Sequence, residues 1–427
     1  MEMRAEFKQT EVGMIPTDWG VEPLSACSET SSGTTPARAA AERYFHGGTI
    51  PWVKTLDLNN SVLNATDECV TETALRETSL RLYPAGSVLV AMYGGFAQIG
   101  RTGLLPFPAT INQALTAICP NRRKLDSRYL LYYLNYHVDY WKSVASSSRK
   151  DPNITGNDVR NFLIALPSTE EQRLIATAMS DVDALLDGLT GLIAKKRDLK
   201  QAFMRQLLTG ENRLPGFSGA WKTITLGELG LTYGGLTGKT KSDFGVGTGR
   251  YVTFMNVMAN VVIDCEAFDQ VRVSSNESQN RVIQGDLLFN GSSETPEEVA
   301  LCSYMAKDVP DLFLNSFCFG FRLRDKQQAD GLFLSYYIRA TPGRELMKSL
   351  AQGSTRYNVS KGALLQASVL LPSKDEQTAI AAVLSDMDAE LAALGARLAK
   401  TRALKQAMMQ ELLTGKTRLL PLEVAHV

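Results

Sequence analysis

From Thr169 to Leu208 the chain runs without a proline, and apolar residues return every seven positions. One series is Ile175, Val182, Leu189 and Phe203, with Lys196 interrupting it; a second, three residues on, is Ala178, Leu185, Leu192 and Leu199. Two such series form the a/d seam of helices that pack along their length. The pattern returns after Ser373, where Ile380, Met387, Leu394 and Met408 run beside Leu384, Leu391, Leu398 and Leu412. Ser168 and Ser373 stand at N-cap positions with Glu171 and Glu376 three residues on, which predicts capping boxes. Gly210 and Gly415 follow the last apolar turns as C-caps. Gly188, Gly191 and Gly395 weaken the middles, by at most about 1 kcal/mol each. Each helix is then about 40 residues, or roughly 60 Å, long. Alone it would leave a bare apolar stripe, so the pattern predicts that the two pack together, antiparallel or nearly so. Two amphipathic helices lying on separate domains are the alternative.

Between the helical blocks the apolar runs are short and rich in β-formers. Residues 50–53, 87–91 and 115–118 read as strands in the first half, and 251–254, 260–263, 286–289 and 317–321 in the second. A helical stretch follows each set, at 127–143 and 331–350. The predicted class is α+β: two mixed α/β domains separated by a packed pair of long antiparallel helices. The boundaries fall at 1–165, 166–212, 213–370 and 371–420, with a tail at 421–427.

The helical blocks are duplicates. Leu166-Pro167-Ser168 recurs as Leu371-Pro372-Ser373, Lys200-Gln201-Ala202 as Lys405-Gln406-Ala407, and Leu207-Leu208-Thr209-Gly210 as Leu412-Leu413-Thr414-Gly415. The offset is 205 throughout, and 27 of the 49 positions from 166 to 214 are identical without a gap. Elsewhere the halves keep only echoes, such as Trp19 with Trp221, Asn112 with Asn315 and Tyr132-Tyr133 with Tyr336-Tyr337. Two like scaffolds carrying two unlike surfaces suit a protein that recognises two different things. A duplicated enzyme domain with drift is the competing explanation.

Composition narrows the chemistry. The 427 residues carry 45 basic and 45 acidic side chains, so any polyanion site is a local patch or is shared with a basic partner. Six dispersed cysteines and three histidines show no zinc spacing, and the cysteines read as core. The N-terminus lacks a signal-peptide apolar core and no apolar run is long enough to span a membrane, which points to the cytoplasm. Gly234-Gly235-Leu236-Thr237-Gly238-Lys239-Thr240 imitates a phosphate loop but has Tyr233 where the first glycine belongs. No HExxH, GxSxG or dinucleotide turn occurs. A non-catalytic binding protein is the expectation. A cryptic nuclease or nucleotide-binding enzyme, and a helix-pairing scaffold without DNA binding, are the alternatives.

Two polar loops stand just ahead of the helical blocks. Arg149, Lys150 and Asn153 lie in the first; Arg356 and Asn358 lie in the second. Arg can bond guanine and Asn adenine in bidentate fashion, while clusters such as Lys239 and Lys241 suit phosphates.

Further residues follow in a fixed order: Ile15-Pro16 and Trp19; Ser32-Gly33-Thr34-Thr35-Pro36; Gly47-Gly48, then Ile50-Pro51-Trp52-Val53-Lys54-Thr55; Asn112-Gln113; then Leu166-Pro167 with Glu171-Gln172. In this order, and with the duplication, nearly the whole chain resembles the DNA-specificity (S) subunit of type I restriction-modification enzymes. The resemblance implies two target-recognition domains, each reading one half of a bipartite DNA sequence. It implies helices that set the spacing and dock two methyltransferase (M) subunits, with restriction (R) subunits as further partners. S-adenosylmethionine, ATP and magnesium are then expected only on partner subunits. Candidate DNA contacts are Thr34, Arg38, Lys54, Arg101, Asn112, Gln113, Arg149, Lys150 and Asn153 in the first domain. In the second they are Lys239, Lys241, Asn256, Ser292, Arg356 and Asn358. Candidate docking residues are Glu171, Gln172, Lys200 and Gln201, with Glu376, Gln377, Lys405 and Gln406. The second domain departs from the family pattern: Gly234-Gly235-Leu236-Thr237 lacks the Gly-Thr-Pro form, and Ser316, not Gln, follows Asn315.

Overall fold

A computed structural model describes residues 6–146 and 153–419. The chain divides into two compact units, residues up to 190 together with those from 397 onward, and residues 191–396. The sequence suggested cuts at the helix ends; the units instead each take part of both long helices, α1 (Thr169–Thr209) and α2 (Lys374–Leu413).

The helix ends follow from their caps. Ser168 and Ser373 each accept a bond from the N–H of the glutamate three residues on, at 3.2 and 3.4 Å. Among the described residues neither glutamate returns the bond, because both carboxylates are drawn into buried ion pairs. In the first unit Glu171 accepts from the Trp19 indole at 3.2 Å and from Arg418, whose other bonds go to Asp18. In the second, Glu376 accepts from Arg213, which also bonds the Gly219 carbonyl. Gly210 and Gly415 close the helices at φ +75 and +70. A Cβ on Gly415 would stand 2.5 Å from Pro16 and one on Gly210 would stand 3.2 Å from Trp221, so the glycine also admits the neighbouring ring.

Within each unit the two helices run antiparallel. In the first, Lys405 pairs with Asp183 at 2.6 Å, and Arg418 with Glu171 nearer the start of α1. In the second, Lys196 pairs with Glu390 at 2.8 Å and Lys200 with Asp388. Tyr132 donates to Asp183 at 2.9 Å and Tyr336 to Asp388 at 2.6 Å, so each aspartate holds one tyrosine and one lysine. The lysine ammonium also lies 5.7 Å from the Tyr132 ring centroid in one unit and 5.5 Å from that of Tyr336 in the other.

The seam itself differs from the expectation. Ile175, Met179, Leu189 and Ile193 are buried, but Leu185, Leu192 and Leu199 are 41, 40 and 43 % exposed. The second inward row sits four residues from the first, not three. With Asp183, Lys196 and Lys200 facing inward, the 185/192/199 row lies about 100° round the helix from the buried face, at about 100° per residue. The stretches 127–143 and 331–350 are each broken into two helices: Ser127–Tyr136 with Val138–Ser146, and Gly331–Arg339 with Thr341–Leu350. Ala340 turns extended at one break, at φ −87 and ψ 170, with Pro342 in the first turn of the helix that follows, and His137 leaves helical geometry at the other.

Each unit builds the same sheets from different residues. In the first, Ser28–Ser32, Leu115–Pro120, Val88–Ala91 and Thr102–Leu104 are neighbours in that order; in the second, Gly230–Gly234, Cys318–Leu323, Leu287–Asn290 and Cys302–Tyr304 match them. Ile50–Val53 lies between Thr110–Ile111, parallel, and Glu68–Val70, antiparallel. Phe244–Val252 lies likewise between Leu312–Leu314 and Phe268–Val271. The expected strand at 260–263 is reduced to a single bridge from Val262 to Tyr304. The core of each unit gathers the α1 or α2 start, the Tyr-rich helix and the central sheet: Ile175, Met179, Tyr129 and Val90 in one, Ile380, Leu384, Phe333 and Phe289 in the other. Burial lifts the Cys27 thiol to about 11 and those of Cys302 and Cys318 to about 12, in keeping with cysteines as packing residues.

Two stability measurements follow. Arg418→Ala leaves the Glu171 carboxylate buried with only the Trp19 indole. We expect a loss of about 2–3 kcal/mol in denaturant unfolding, the low end for a broken buried pair because Arg418 is partly solvated; an unmoved midpoint would contradict the clamp. Gly191→Ala meets open space in a helix interior, and we expect a gain of up to about 1 kcal/mol.

Candidate nucleic-acid interface

The sequence-predicted contacts fall into three groups. In the first unit the Thr34 N–H bonds the Ile111 carbonyl at 3.0 Å, and Thr35 bonds the Gln113 side chain. The Asn112 side chain accepts from Ala114 N–H at 3.2 Å, so Thr34, Asn112 and Gln113 form one corner. Arg38 and Lys54 meet on Glu68, at 2.8 and 3.2 Å, and Arg38 lies over the Phe45 ring at 4.3 Å. Burial pushes the Glu68 carboxyl up, but Arg38 and Lys54 outweigh it and hold the group below its ordinary range. Arg101 bonds the Ala97 carbonyl at the base of its own loop. Asn153 lies at the edge of the described stretch, and Arg149 and Lys150 lie outside the described residues.

In the second unit Ser292, Arg356 and Asn358 come together, because Ser292–Ser293 pairs with Tyr357–Asn358. Arg356 is exposed, and among the described residues no ion pair engages it. Lys241 is exposed at the start of a short 3₁₀ turn, where no α-helix opens, so the phosphate-loop likeness ends there.

Two candidates are corrected. Asn256 is buried, its amide donating to the Asp264 and Ala267 carbonyls and its oxygen accepting from Asp264 N–H. Its bonding capacity is filled inside the loop it organises. The Lys239 side chain is 5 % exposed and holds Glu277 and the Arg272 carbonyl, so it ties a loop together rather than facing solvent. That ammonium brings the Glu277 carboxyl down to about 2.

The docking candidates divide in the same way. Glu171, Gln172, Glu376 and Gln377 are buried. Gln172 bonds Asp126 N–H and the Lys124 carbonyl; Gln377 bonds Asp330 N–H and the Pro372 carbonyl. Lys200 and Lys405 pin α1 to α2. These six cannot present free side chains to a partner, whereas Gln201 and Gln406 are exposed. The residues missed were Arg213 and Arg418, which close the clamps on the two buried glutamates. They are among the last identities of the repeat, and a charge kept just beyond a helix end was the available signal.

The departures of the second unit from the family pattern leave the geometry intact. Gly33 and Gly235 both lie so close to a neighbouring strand end that a Cβ would stand 2.2 Å from the Asn112 carbonyl or 2.1 Å from that of Asn315. Asn315 accepts from Phe317 N–H at 2.9 Å, as Asn112 does from Ala114.

This duplicated corner agrees with a profile described as the type I restriction modification DNA specificity domain, which matches residues 16–195 and again 219–400. The chain belongs to that family. It is 34 % identical over 187 residues to the MjaIX specificity subunit of Methanocaldococcus jannaschii, a match spanning 43 % of this chain and 42 % of that protein. It is 23 % identical to the EcoR124I/EcoR124II specificity subunit of Escherichia coli over 46 % of each chain. The alignment thus spans a little under half the length of these two relatives. With the putative MjaX specificity subunit of M. jannaschii it covers 96 % of both chains at 23 % identity. The fold matches the S subunit of the type I system from M. genitalium, with a TM-score of 0.57 at 15 % identity, covering 96 % of this chain and 99 % of that one.

The Lys239–Glu277 pair makes a prediction about pH. Glu277 has its folded value depressed from 4.5 to about 2, so its contribution is full above pH 4.5 and is lost as pH falls towards 2. Amide-exchange protection across 272–279 should fall over that interval and should be low throughout in Lys239→Met. Protection indifferent to acid would remove the pair from the account.

Proposed function

We propose that this chain is a non-catalytic specificity subunit that binds duplex DNA and reads a bipartite target, one part per unit. The observation that carries this is the repetition of one sheet topology with different loop residues, in a chain whose two halves both match a DNA-specificity domain. A shared scaffold supports the same task twice, and unlike loops support two different base sequences. In this reading two methyltransferase subunits dock on the chain and perform the reaction. S-adenosylmethionine, with ATP and magnesium where restriction subunits join, resides on those partners. The docking side chains are then the exposed ones, Gln201 and Gln406, and the exposed Leu192 and Leu199 offer apolar contacts on the opposite face of α1 from Gln201. Partly exposed leucines next to polar groups are the composition of a protein interface.

Single-molecule methylation mapping tests this in cells that carry the chain with its methyltransferase. We expect one motif of two short specified parts separated by unspecified bases, abolished when this chain is deleted. A continuous motif, or methylation that persists without the chain, would overturn the proposal. Turnover by the isolated chain with magnesium or ATP would favour the enzyme reading instead.

A further inference from the structure

The second unit contains a cleft that the reading above does not explain. It has a volume of about 390 Å³ and is lined by Phe254, Met255, Met258 and Phe317 together with Ser292 and Arg356. Met255 and Phe317 are 68 and 62 % exposed, yet both are built on rigid turns. Thr253 caps the turn Phe254–Ala259, and Asn256 locks the next residue inward, which throws Met255 outward. Phe317 is fixed through its N–H on Asn315 and through its carbonyl, which accepts from Gly291 N–H at 2.9 Å. Arg356 reaches the cleft because Ser292 pairs with Asn358.

Single exposed apolar residues need no explanation, but this one has a counterpart. Val53 and Val252 are the matched ends of the parallel pairings with Ile111 and Leu314. Three residues after each comes Leu56, 70 % exposed, and Met255. Both units therefore hold an aliphatic side chain out at the same place. The second apolar contact is particular to the second unit: the position two after Asn112 is Ala114, and the position two after Asn315 is Phe317.

The polar side of the cleft identifies the occupant. Glu294 and Glu298 line it beside Arg356, and Glu294 has no partner among the described residues. Carboxylates repel phosphate, so this is not a backbone site. They do accept from exocyclic amino groups, and Arg donates to ring nitrogens and carbonyls. The major-groove edge of a thymine·adenine pair offers a methyl group, a carbonyl acceptor, an amino donor and a ring-nitrogen acceptor. A guanine·cytosine pair offers the polar groups without the methyl, and would leave Met255 and Phe317 facing nothing apolar.

Resting on the duplex-reading function proposed above, we propose that this cleft reads a thymine·adenine pair in the half-site of the second unit. Met255 and Phe317 seat the thymine methyl, and Arg356 with Glu294 bonds the polar edge.

The test uses the full chain in complex with its methyltransferase. The wild-type motif is mapped first, and a missing bipartite motif would sink the function proposed above rather than this inference. Duplexes are then made with each thymine of the motif replaced singly by deoxyuridine, which removes only the methyl. We expect one replacement to weaken wild-type binding about fourfold, the worth of one buried methyl-sized group. Met255→Ala and Phe317→Ala should bind the thymine duplex about fourfold more weakly and lose the distinction, while Met255→Leu should keep it. Both positions are exposed, so thermal unfolding of the variants confirms that they remain folded. The proposal is overturned if the motif contains no thymine in one half-site, if every deoxyuridine duplex binds as tightly as thymine, or if the alanine variants discriminate as the wild type does.

Discussion

A carboxylate taken out of water needs a cation held in place, and both units are organised round one such pair. Glu171 and Glu376 are buried at the starts of the long helices. Each draws in the arginine that follows the end of the other helix, and with it a tryptophan from the start of the same unit: Arg418 over Trp19, Arg213 over Trp221. Burial of the acid explains why the capping boxes are half made. The two clamps are not equal. Arg418 has Asp18 as a second anion and Trp19 bonds Glu171, whereas Arg213 has only a carbonyl and the Trp221 indole N–H is buried without a partner among the described residues.

The helix pair adds a second constraint. Asp183 and Asp388 each gather a lysine from the opposite helix and a tyrosine from their own unit's sheet-covering helix. Burial raises both tyrosine hydroxyls above their ordinary range, with the aspartate adding to the effect, so these groups stay protonated donors. The pins hold each helix to its partner and to the rest of its unit with the same atoms.

Much of this was legible in the chain. The helix limits, the caps and the duplication follow from Ser168, Ser373, Gly210, Gly415 and the offset of 205, because local rules govern them. The inward face of α1 was not, since rows three and four residues apart are both neighbours on a helix, and only the position of Asp183 and Lys200 selects between them. At the candidate interface, residue type pointed to Asn256 and Lys239, but both side chains turned inward to bond loops that no periodicity describes. Arg356 and Ser292 were visible singly. What sequence could not supply was the strand pairing that brings them beside Met255 and Phe317.

The exposure of Met255 has a chemical corollary. A thioether open to solvent stands on the reversible step of the oxidation ladder, where a sulfoxide replaces an apolar tip with a polar, chiral one until a reductase restores it. Leu56, at the matching place in the other unit, has no sulfur and is inert to the same oxidants. Peroxide would thus turn the exposed tip at this place polar in the second unit and leave the matching Leu56 of the first apolar.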